Sequence, residues 1–129
     1  MKVFVSHGSG DAWVARQMAR CITDQGASTF LDANDVETGD DFKRRIKAAI
    51  AASDELVALL TPISRRRSWL WVEIGAAWVL EKRVVAITYG VSRADLEADG
   101  GKAVLEDLHL RELNTFDEYL SELRGRLTQ

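Results

Sequence analysis

The sequence predicts an α/β protein in which helices cover both faces of a central parallel sheet of about five strands. Short β-branched runs alternate along the chain with segments of helical periodicity, which is the pattern of βα units. Two of the runs, Glu55–Thr61 and Val84–Tyr89, are almost continuously apolar, as expected for central strands that helices bury on both faces. The length of 129 residues and the 47% share of hydrophobic residues suit one domain over residues 1–129.

The first quarter of the chain predicts two strands and the helix between them. The first strand, about Val3–Ser6, leads through the loop Ser6–Asp11 into a helix that Asp11 should cap and that extends to about Asp24. Its apolar residues recur at helical spacing, namely Val14, Met18, Cys21 and Ile22. A short second strand, Thr29–Leu31, is followed by the polar segment Asp32–Asp40, which we expect to be a long exposed loop.

The middle of the chain predicts a second helix, a central strand and a third helix. The second helix begins at Asp40 or Asp41, and its inward face comprises Phe42, Ile46, Ala49 and Ile50. The central strand ends at Pro62, and the loop after it carries three consecutive arginines. The third helix extends from Ser68, which should cap it, to about Leu80 and is apolar on all sides except at Glu73. We therefore expect it to be buried on several sides.

The last part of the chain predicts weaker elements and one clear helix. Residues 90–101 are polar and poorly periodic, and they precede a short helix near Ala103–Asp107 and an edge strand near His109–Leu113. Thr115 and Glu118 have the spacing of a capping box. The helix that follows has an apolar stripe formed by Phe116, Leu120, Leu123 and Leu127.

Composition and charge argue against several classes of function. The net charge of -3 gives no bulk attraction to nucleic acid or to an anionic membrane. The chain has no apolar run of membrane-spanning length and opens on a strand rather than on a signal peptide, so we expect a cytoplasmic protein. Cys21, the single cysteine, fits plain core packing, and the two histidines lack the spacing of metal ligands, so we expect no metal site.

Glu73 is the most informative single residue, because it places a carboxylate in the middle of an apolar helix. An unpaired ionised glutamate there would be strongly disfavoured, so the side chain must be paired, be protonated or line a cleft. In a sheet of the flavodoxin-like order 2-1-3-4-5, ligands bind beyond the carboxyl ends of strands one and three. The loops there are Ser6–Asp11 and Thr61–Ser68, and the helix of Glu73 follows the second directly, so all three stretches should border one crevice.

The residues around this crevice each allow a structural interpretation beside the functional one. Backbone N–H groups of the stretch Gly8–Gly10 suit a phosphate or a ribose, but a tight turn explains the glycines at least as well. His7 is more simply a hydrogen-bonded rim residue than a catalyst, and it forms no convincing nucleophile triad with the serines of its loop. The arginines Arg65–Arg67 also suit a phosphate, although a solvated loop is the favoured interpretation.

Several fragments, by their order and spacing, resemble a TIR domain over almost the whole chain. They are Val3-Phe4-Val5-Ser6-His7, Phe30-Leu31-Asp32 with Gly39-Asp40, Ser53-Asp54, Leu59-Leu60-Thr61-Pro62-Ile63-Ser64, and Ser68-Trp69 with Glu73-Ile74-Gly75-Ala76-Ala77. The resemblance implies a flavodoxin-like three-layer fold with the strand order 2-1-3-4-5. The segment Asp32–Asp41 corresponds to the family's BB loop, and its lack of proline makes it more similar to prokaryotic and plant enzymes than to many animal receptor domains.

The stretch Trp69–Glu73 looks like the WxxxE motif, whose glutamate is catalytic in the TIR proteins that cleave NAD+. The resemblance therefore implies that Glu73 catalyses cleavage of NAD+ to ADP-ribose or a cyclic isomer, with NAD+ as the substrate and no separate cofactor. It also implies a pocket bordered by Ser6, His7, Gly8, Asp32 and Trp69. Stand-alone members of the family act in bacterial antiphage immunity by making a nucleotide signal for a separate effector, and TIR active sites are often completed by self-association.

Two other functions fit the same residues. A non-enzymatic TIR adaptor would act only by associating with other TIR domains, and Glu73 would then be structural and paired with Arg83 or Lys82. A nucleoside deoxyribosyltransferase-like enzyme has a related α/β shape and also uses a glutamate against an N-glycosidic bond. Assays of NAD+ and of deoxynucleosides distinguish these alternatives.

Overall fold

A wholly parallel, five-stranded sheet lies at the centre of this computed structural model, which describes residues 1–31 and 40–129. The strands are β1 (Lys2–Ser6), β2 (Ser28–Leu31), β3 (Glu55–Leu60), β4 (Arg83–Thr88) and β5 (His109–Glu112). They pair in the order β2-β1-β3-β4-β5, and each pair is parallel. The predicted α/β fold and its strand order are therefore confirmed.

Helices cover both faces of this sheet within the described ranges. They are α1 (Ala12–Asp24), α2 (Asp40–Ala52), α3 (Ser68–Val79), α4 (Arg93–Leu96), α5 (Lys102–Leu105) and α6 (Phe116–Leu127). Short 3-10 turns lie at Ser9–Asp11 and Leu113–Thr115, and a wider π-type turn at Glu97–Gly101 joins α4 to α5. None of the helices in the described part of the chain is long and apolar enough to cross a membrane.

The alternation of side chains along the strands divides the core into two layers. Phe4 and Ala58 belong to the layer that packs beneath α2 and α3. Val5 and Val57 belong to the opposite layer, which packs beneath α1 and α6. Since Ser6 follows Phe4 by two residues on the same strand, its side chain faces the layer of α3. The last residue of β1 is thus directed towards the helix that carries the conspicuous glutamate.

Helix α3 is buried on its inner face only, whereas the sequence predicted burial on several sides. On the outer face, Val72 is 53% exposed and Val79 is 71% exposed. Arg67 occupies the N-cap position of α3, and its side chain makes no capping hydrogen bond. Ser68 is therefore the first helical residue and not the predicted cap. When a helix is apolar on all sides, its sequence does not indicate which side packs against the sheet. The path of the chain from β3 to α3 decides that side. The inner residues are Leu70, Glu73, Ile74 and Ala77.

Local caps in the second half of the chain differ from the prediction. Thr115 Oγ1 donates to the carbonyl oxygen of Glu112 at 3.1 Å, and Glu118 pairs with an arginine of β5, so the expected capping box before α6 does not form. A reciprocal capping box forms instead between Ser92 and Asp95 and starts α4, within the segment that the sequence left irregular. The loop predicted over residues 32–39 lies outside the described residues.

Candidate active site

Glu73 and Ser6 form a buried hydrogen-bonded pair at the carboxyl edge of the sheet. Ser6 Oγ donates to Glu73 Oε1 at 2.8 Å. Ser6 is 0% exposed and Glu73 is 1% exposed. Because a buried carboxyl group needs hydrogen-bond partners, the serine hydroxyl satisfies one oxygen of the Glu73 side chain. The carboxylate oxygen is thereby held beside the last residue of β1.

Glu73 reaches β1 because of the way the chain crosses the sheet. Strands β1 and β3 are neighbours, and Ser6 lies opposite Ala58 in their register. Helix α3 follows β3 and packs over the same face, where Leu70 joins Phe4 in one apolar cluster. Since Leu70 precedes Glu73 by three residues, both side chains belong to the inner face of the helix. The glutamate therefore stands at the polar end of an otherwise apolar contact between sheet and helix.

His7 and Gly8 are fixed by contacts within and beside their own loop. The Nδ1–H group of His7 donates to the carbonyl oxygen of Gly8 at 2.7 Å, and the residue is 4% exposed. A Cβ atom on Gly8 would lie 2.9 Å from Ser64 Cβ, so glycine allows the loops after β1 and β3 to approach closely. Both residues follow Ser6 directly, so the loop that the sequence assigned to the pocket begins at the Ser6–Glu73 pair.

A buried hydrogen-bond network joins the two loops of the predicted crevice. Thr61 Oγ1 donates to Asp11 Oδ2 at 2.7 Å, and the backbone N–H group of Thr61 donates to Ser64 Oγ at 2.9 Å. Ser64 Oγ in turn donates to the carbonyl oxygen of Leu59 at 3.0 Å. Asp11 precedes α1 without capping it, contrary to the sequence prediction, because its carboxylate binds Thr61. The loops are therefore held in place from within the protein.

Trp69 lies one helical turn before Glu73 and packs towards α2. Its ring centroid is 6.0 Å from that of Phe42, with an angle of 33° between the ring planes. Its indole N–H group is buried and has no hydrogen-bond partner among the described residues. Trp69 therefore supports α3 on the side of α2. The remaining predicted site residue, Asp32, lies outside the described residues.

The three consecutive arginines before α3 have three different surroundings, so the expected solvated loop is only partly correct. Arg65 is 16% exposed and forms an ion pair with Asp95 at 2.9 Å. Arg66 is exposed to solvent. Arg67 crosses to the loop after β1, where its Nη1 donates to Ser9 Oγ at 2.6 Å. Arg67 is thus the arginine that meets the loop of the Ser6–Glu73 pair.

A second buried carboxylate, that of Glu55, lies at the opposite, amino edge of the sheet, and sequence analysis did not single it out. It is 2% exposed and accepts hydrogen bonds from Tyr119 Oη at 2.5 Å and Arg126 Nη2 at 3.0 Å. Burial and the neighbouring Glu55 charge raise the pKa of Tyr119. The available signal was a glutamate at the head of an apolar strand, but both hydrogen-bond donors come from α6, far along the chain.

The adaptor hypothesis expected Glu73 to pair with Arg83 or Lys82, and this expectation is wrong. Arg83 lies at the amino edge, where its Nε is 3.9 Å from a carboxylate oxygen of Glu55. Lys82 Nζ donates to the carbonyl oxygen of Ala51 at 3.1 Å. Both residues follow the far end of α3, whereas Glu73 lies in its first half and faces β1.

The sequence matches the TIR domain family over residues 3–124. The chain belongs to the TIR domain family. The matched range contains both loops of the crevice and the whole of α3, so the Ser6–Glu73 pair lies within the TIR domain. No curated protein matches this sequence at a significant level.

Two solved structures resemble this TIR domain over nearly its whole length. The structure of Clostridium botulinum CMP N-glycosidase, BcmB, has a TM-score of 0.64 and 17% sequence identity, and the likeness covers 95% of this chain and 98% of that one. The TIR domains of the activated Roq1 resistosome, which directly recognises the pathogen effector XopQ, have a TM-score of 0.63 and 17% identity, with coverage of 98% and 96%. At 17% identity, the likeness to these two structures shows that the chains share a fold and nothing more.

Proposed function

We propose that this TIR domain cleaves the bond between nicotinamide and ribose in NAD+, with Glu73 as the catalytic residue. The observation that supports this most directly is the buried Ser6–Glu73 hydrogen bond of 2.8 Å at the carboxyl edge of β1. In an open parallel sheet, this edge is where ligands bind. The Ser6 hydroxyl fixes the Glu73 carboxylate at this edge, which supports a role in acting on a bound nucleotide.

The chemistry of the bond suits a single fixed carboxylate. Nicotinamide departs from NAD+ as a neutral molecule, so the leaving group needs no acid, and the difficulty lies in the cation character that develops on the ribose. A carboxylate beside that sugar, or hydrogen-bonded to its hydroxyl groups, stabilises the developing positive charge in a site of low dielectric. Glu73 fills this role, and Ser6 is a positioning residue that holds it. NAD+ is the substrate, and no separate cofactor takes part.

The pocket in this proposal is bordered by Ser6, His7 and Gly8 on one side, by Trp69 on α3, and by Asp32. The preorganised junction between the loops after β1 and β3 supports this arrangement, since a fixed geometry lowers the cost of orienting the nucleotide. The ribosyl cation then meets water and gives ADP-ribose, or meets an atom of the same nucleotide and gives a cyclic isomer. Exclusion of water from the pocket decides between the two outcomes.

The biological part of the proposal is a nucleotide signal in bacterial antiphage immunity, made in the cytoplasm and detected by a separate effector. Self-association accompanies it, with the neighbour's BB loop completing the site. The exposed outer face of α3, where Val72 and Val79 are 53% and 71% exposed, supports association with other protein surfaces. Nucleic acid and membrane have no part in this proposal, because the net charge is -3.

The decisive experiment measures nicotinamide release from NAD+ by the wild type and by Glu73→Ala and Glu73→Gln. We expect kcat/KM to fall by about 100-fold or more in both variants, because the charge that stabilises the ribosyl cation is lost. Glu106→Gln, which removes a carboxylate from an exposed position, is the matched control and should retain full activity. Mass spectrometry of the products separates ADP-ribose from its cyclic isomers. Undiminished activity of the Glu73 variants would refute the proposed role.

A second candidate function is cleavage of the N-glycosidic bond of a nucleoside or nucleotide other than NAD+. The likeness to a structure described as a CMP N-glycosidase favours it, since the two folds superpose over 95% of this chain. Parallel assays with CMP, deoxynucleosides and NAD+ rank the substrates. Turnover of none of them at high protein concentration, together with specific TIR–TIR association, would favour the adaptor instead.

A further inference from the structure

We infer that a groove at the amino edge of the sheet binds the phosphate group of a small ligand, with Arg83, Arg126 and His109 as the residues that contact it. The groove lies between the strand pair β4–β5 and helix α6, and its cavity has a volume of about 580 Å³. A cavity of this size accommodates a free phosphate or a mononucleotide. It lies at the opposite edge of the sheet from the Ser6–Glu73 pair, so the inference is independent of the proposed cleavage of NAD+.

The pairing of β4 with β5 brings basic side chains from distant positions to this groove. His109, the first residue of β5, lies opposite Val85 in the register. Arg83 precedes Val85 by two residues, so both side chains face the layer beneath α6. Arg126 reaches the same cavity from the last turn of α6. Two strands and one helix therefore each contribute a basic side chain to one cavity.

Arg83 makes only long contacts within the groove. Its Nε is 3.9 Å from a carboxylate oxygen of Glu55, which is beyond hydrogen-bonding distance. Its Nη1 donates to His109 Nε2 at 3.4 Å, and an imidazole nitrogen that accepts a hydrogen bond is uncharged. The side chain of Arg83 is also 39% exposed. A ligand can therefore reach a guanidinium group that the described residues engage only weakly.

One buried carboxylate is shared by both arginines of the inferred site. Glu55 Oε1 accepts hydrogen bonds from Tyr119 Oη at 2.5 Å and from Arg126 Nη2 at 3.0 Å. The Nε atom of Arg126 is buried and has no hydrogen-bond partner within the described part of the chain. Two guanidinium groups thus share a single negative charge, and the positive charge left over favours an anion.

The acidic residues of α6 beside the groove do not neutralise this positive charge, because both are paired with a third arginine. Arg111 Nη1 lies 3.1 Å from Glu118 Oε2, and its Nη2 pairs with Glu122. Glu118 and Glu122 are 57% and 44% exposed, so both carboxylates also remain hydrated. Arg83 and Arg126 are therefore the arginines that an entering anion meets.

The imidazole of His109 responds to the positive charge of the groove. Partial desolvation lowers its pKa first, and three cations lower the pKa further against the effect of one anion. The cations are Arg83, Arg126 and Arg111, and the anion is Glu55. A phosphate group bound beside the ring reverses this balance and raises the pKa of His109. The imidazole then takes up a proton and donates to the ligand together with the two arginines.

The first test follows the binding of sulfate to the full chain through the NMR shifts of the backbone amide groups of β5. Sulfate has the shape of phosphate and stays doubly charged between about pH 5.5 and pH 8, where histidine titrates. We expect the Kd to fall about three-fold or more from the upper to the lower pH, because a bound anion that raises the pKa of His109 is bound together with a proton. His109→Gln should bind sulfate without this pH dependence, and an unchanged pH dependence in that variant would contradict the role of His109.

Arg83→Ala should raise the Kd for sulfate by about 10-fold or more, because a charge-assisted hydrogen bond is lost. Arg124→Ala is the matched control, because it removes the same charge from α6 while the Arg124 Nε donates to Gln25 Oε1 at 2.8 Å. Its Kd should stay within about two-fold of the wild type. No saturable binding of sulfate, or equal Kd values for Arg83→Ala and the wild type, would overturn the inference. If Arg83→Ala does not fold, the pH dependence in His109→Gln decides the question.

The second test identifies the source of the phosphate group by comparing sulfate with AMP and adenosine in the same NMR experiment. Adenosine should leave the amide shifts of β5 unchanged, because it carries no anion. A Kd for AMP about 10-fold or more below that for sulfate, with the same dependence on Arg83, would assign the groove to a nucleotide. A smaller difference would assign it to free phosphate. Adenosine that binds in the groove as tightly as AMP would overturn the inference, since the phosphate would then have no part in binding.

Discussion

The Ser6 hydroxyl donates to the Glu73 carboxylate at 2.8 Å although 67 positions separate the two residues in the sequence. The bond joins the last residue of β1 to the inner face of α3, and both partners are almost completely buried. In surroundings of low dielectric, such a bond is stronger than in water and its loss is correspondingly costly. We therefore expect the loss of the Ser6 hydroxyl to change the orientation of the Glu73 carboxylate more than it changes the packing of the core.

Ser6→Ala is expected to lower kcat/KM for NAD+ cleavage by about 10-fold or more, because the carboxylate loses a donor that orients it. In the Glu73→Gln background the same change should have much less effect, since the charge that Ser6 supports is already gone. Steady-state kinetics of the two single variants and the double variant provide the measurement. Fully additive effects would contradict a shared role.

Ser53→Ala is the matched control for that experiment. Ser53 is a buried serine that donates to the carbonyl oxygen of Ala49 at 2.7 Å, at the end of α2. Its removal should lower the free energy of unfolding by about 1 kcal/mol and leave kcat/KM unchanged. A kinetic defect as large as that of Ser6→Ala would show that the loss of any buried hydroxyl impairs the proposed activity.

Glu55→Gln is expected to destabilise the protein without affecting catalysis per folded molecule. The change leaves Arg126 and Arg83 without their anion, and we expect the free energy of unfolding to fall by roughly 2–3 kcal/mol. This loss is small for a broken buried ion pair, because the side chains of Arg126 and Arg83 are 19% and 39% exposed. Denaturant unfolding and kcat/KM below the unfolding transition test it. Glu106→Gln, at an exposed position, should stay within about 0.5 kcal/mol of the wild type.

Tyr119→Phe is expected to reveal a contribution to stability that disappears in alkali. Burial first, and then the Glu55 carboxylate, raise the pKa of Tyr119 above its usual value. The native tyrosine thus stays protonated where the unfolded one ionises, so its contribution is complete below about pH 10 and is lost as the pH rises further. The difference in unfolding free energy between wild type and Tyr119→Phe should shrink above that pH, and a constant difference would contradict it.

Gly8→Ala and Gly75→Ala are expected to change stability in opposite directions. A Cβ atom on Gly8 would lie 2.9 Å from Ser64 Cβ and would push the two loops apart, at a cost of about 1–3 kcal/mol. A Cβ atom on Gly75, within α3, meets nothing within 4 Å, so alanine should stabilise the helix by about 0.5–1 kcal/mol. Thermal unfolding of both variants provides the test. A Gly8→Ala protein as stable as the wild type would show that the loops adjust freely.

The elements with strong periodicity were predictable because their pattern reports burial directly. Strand β3 is buried at every position, as its apolar run indicated, and β5 appears at the predicted edge. The helix caps were less predictable, because a short polar side chain bonds whichever partner the fold brings near. Asp11 binds Thr61, fifty positions away, instead of its own helix.

The sequence by itself determined the alternation of strands and helices, the TIR family and the presence of a costly carboxylate at position 73. Only the tertiary structure decided that Glu73 meets Ser6 at the carboxyl edge while Glu55 meets Tyr119 at the amino edge. It likewise separated Arg67 from Arg65, its near neighbour in the chain. Periodicity reports whether a side chain is buried. Its hydrogen-bond partners depend on strand order, register and the face on which each crossover helix lands, and these are properties of the folded chain.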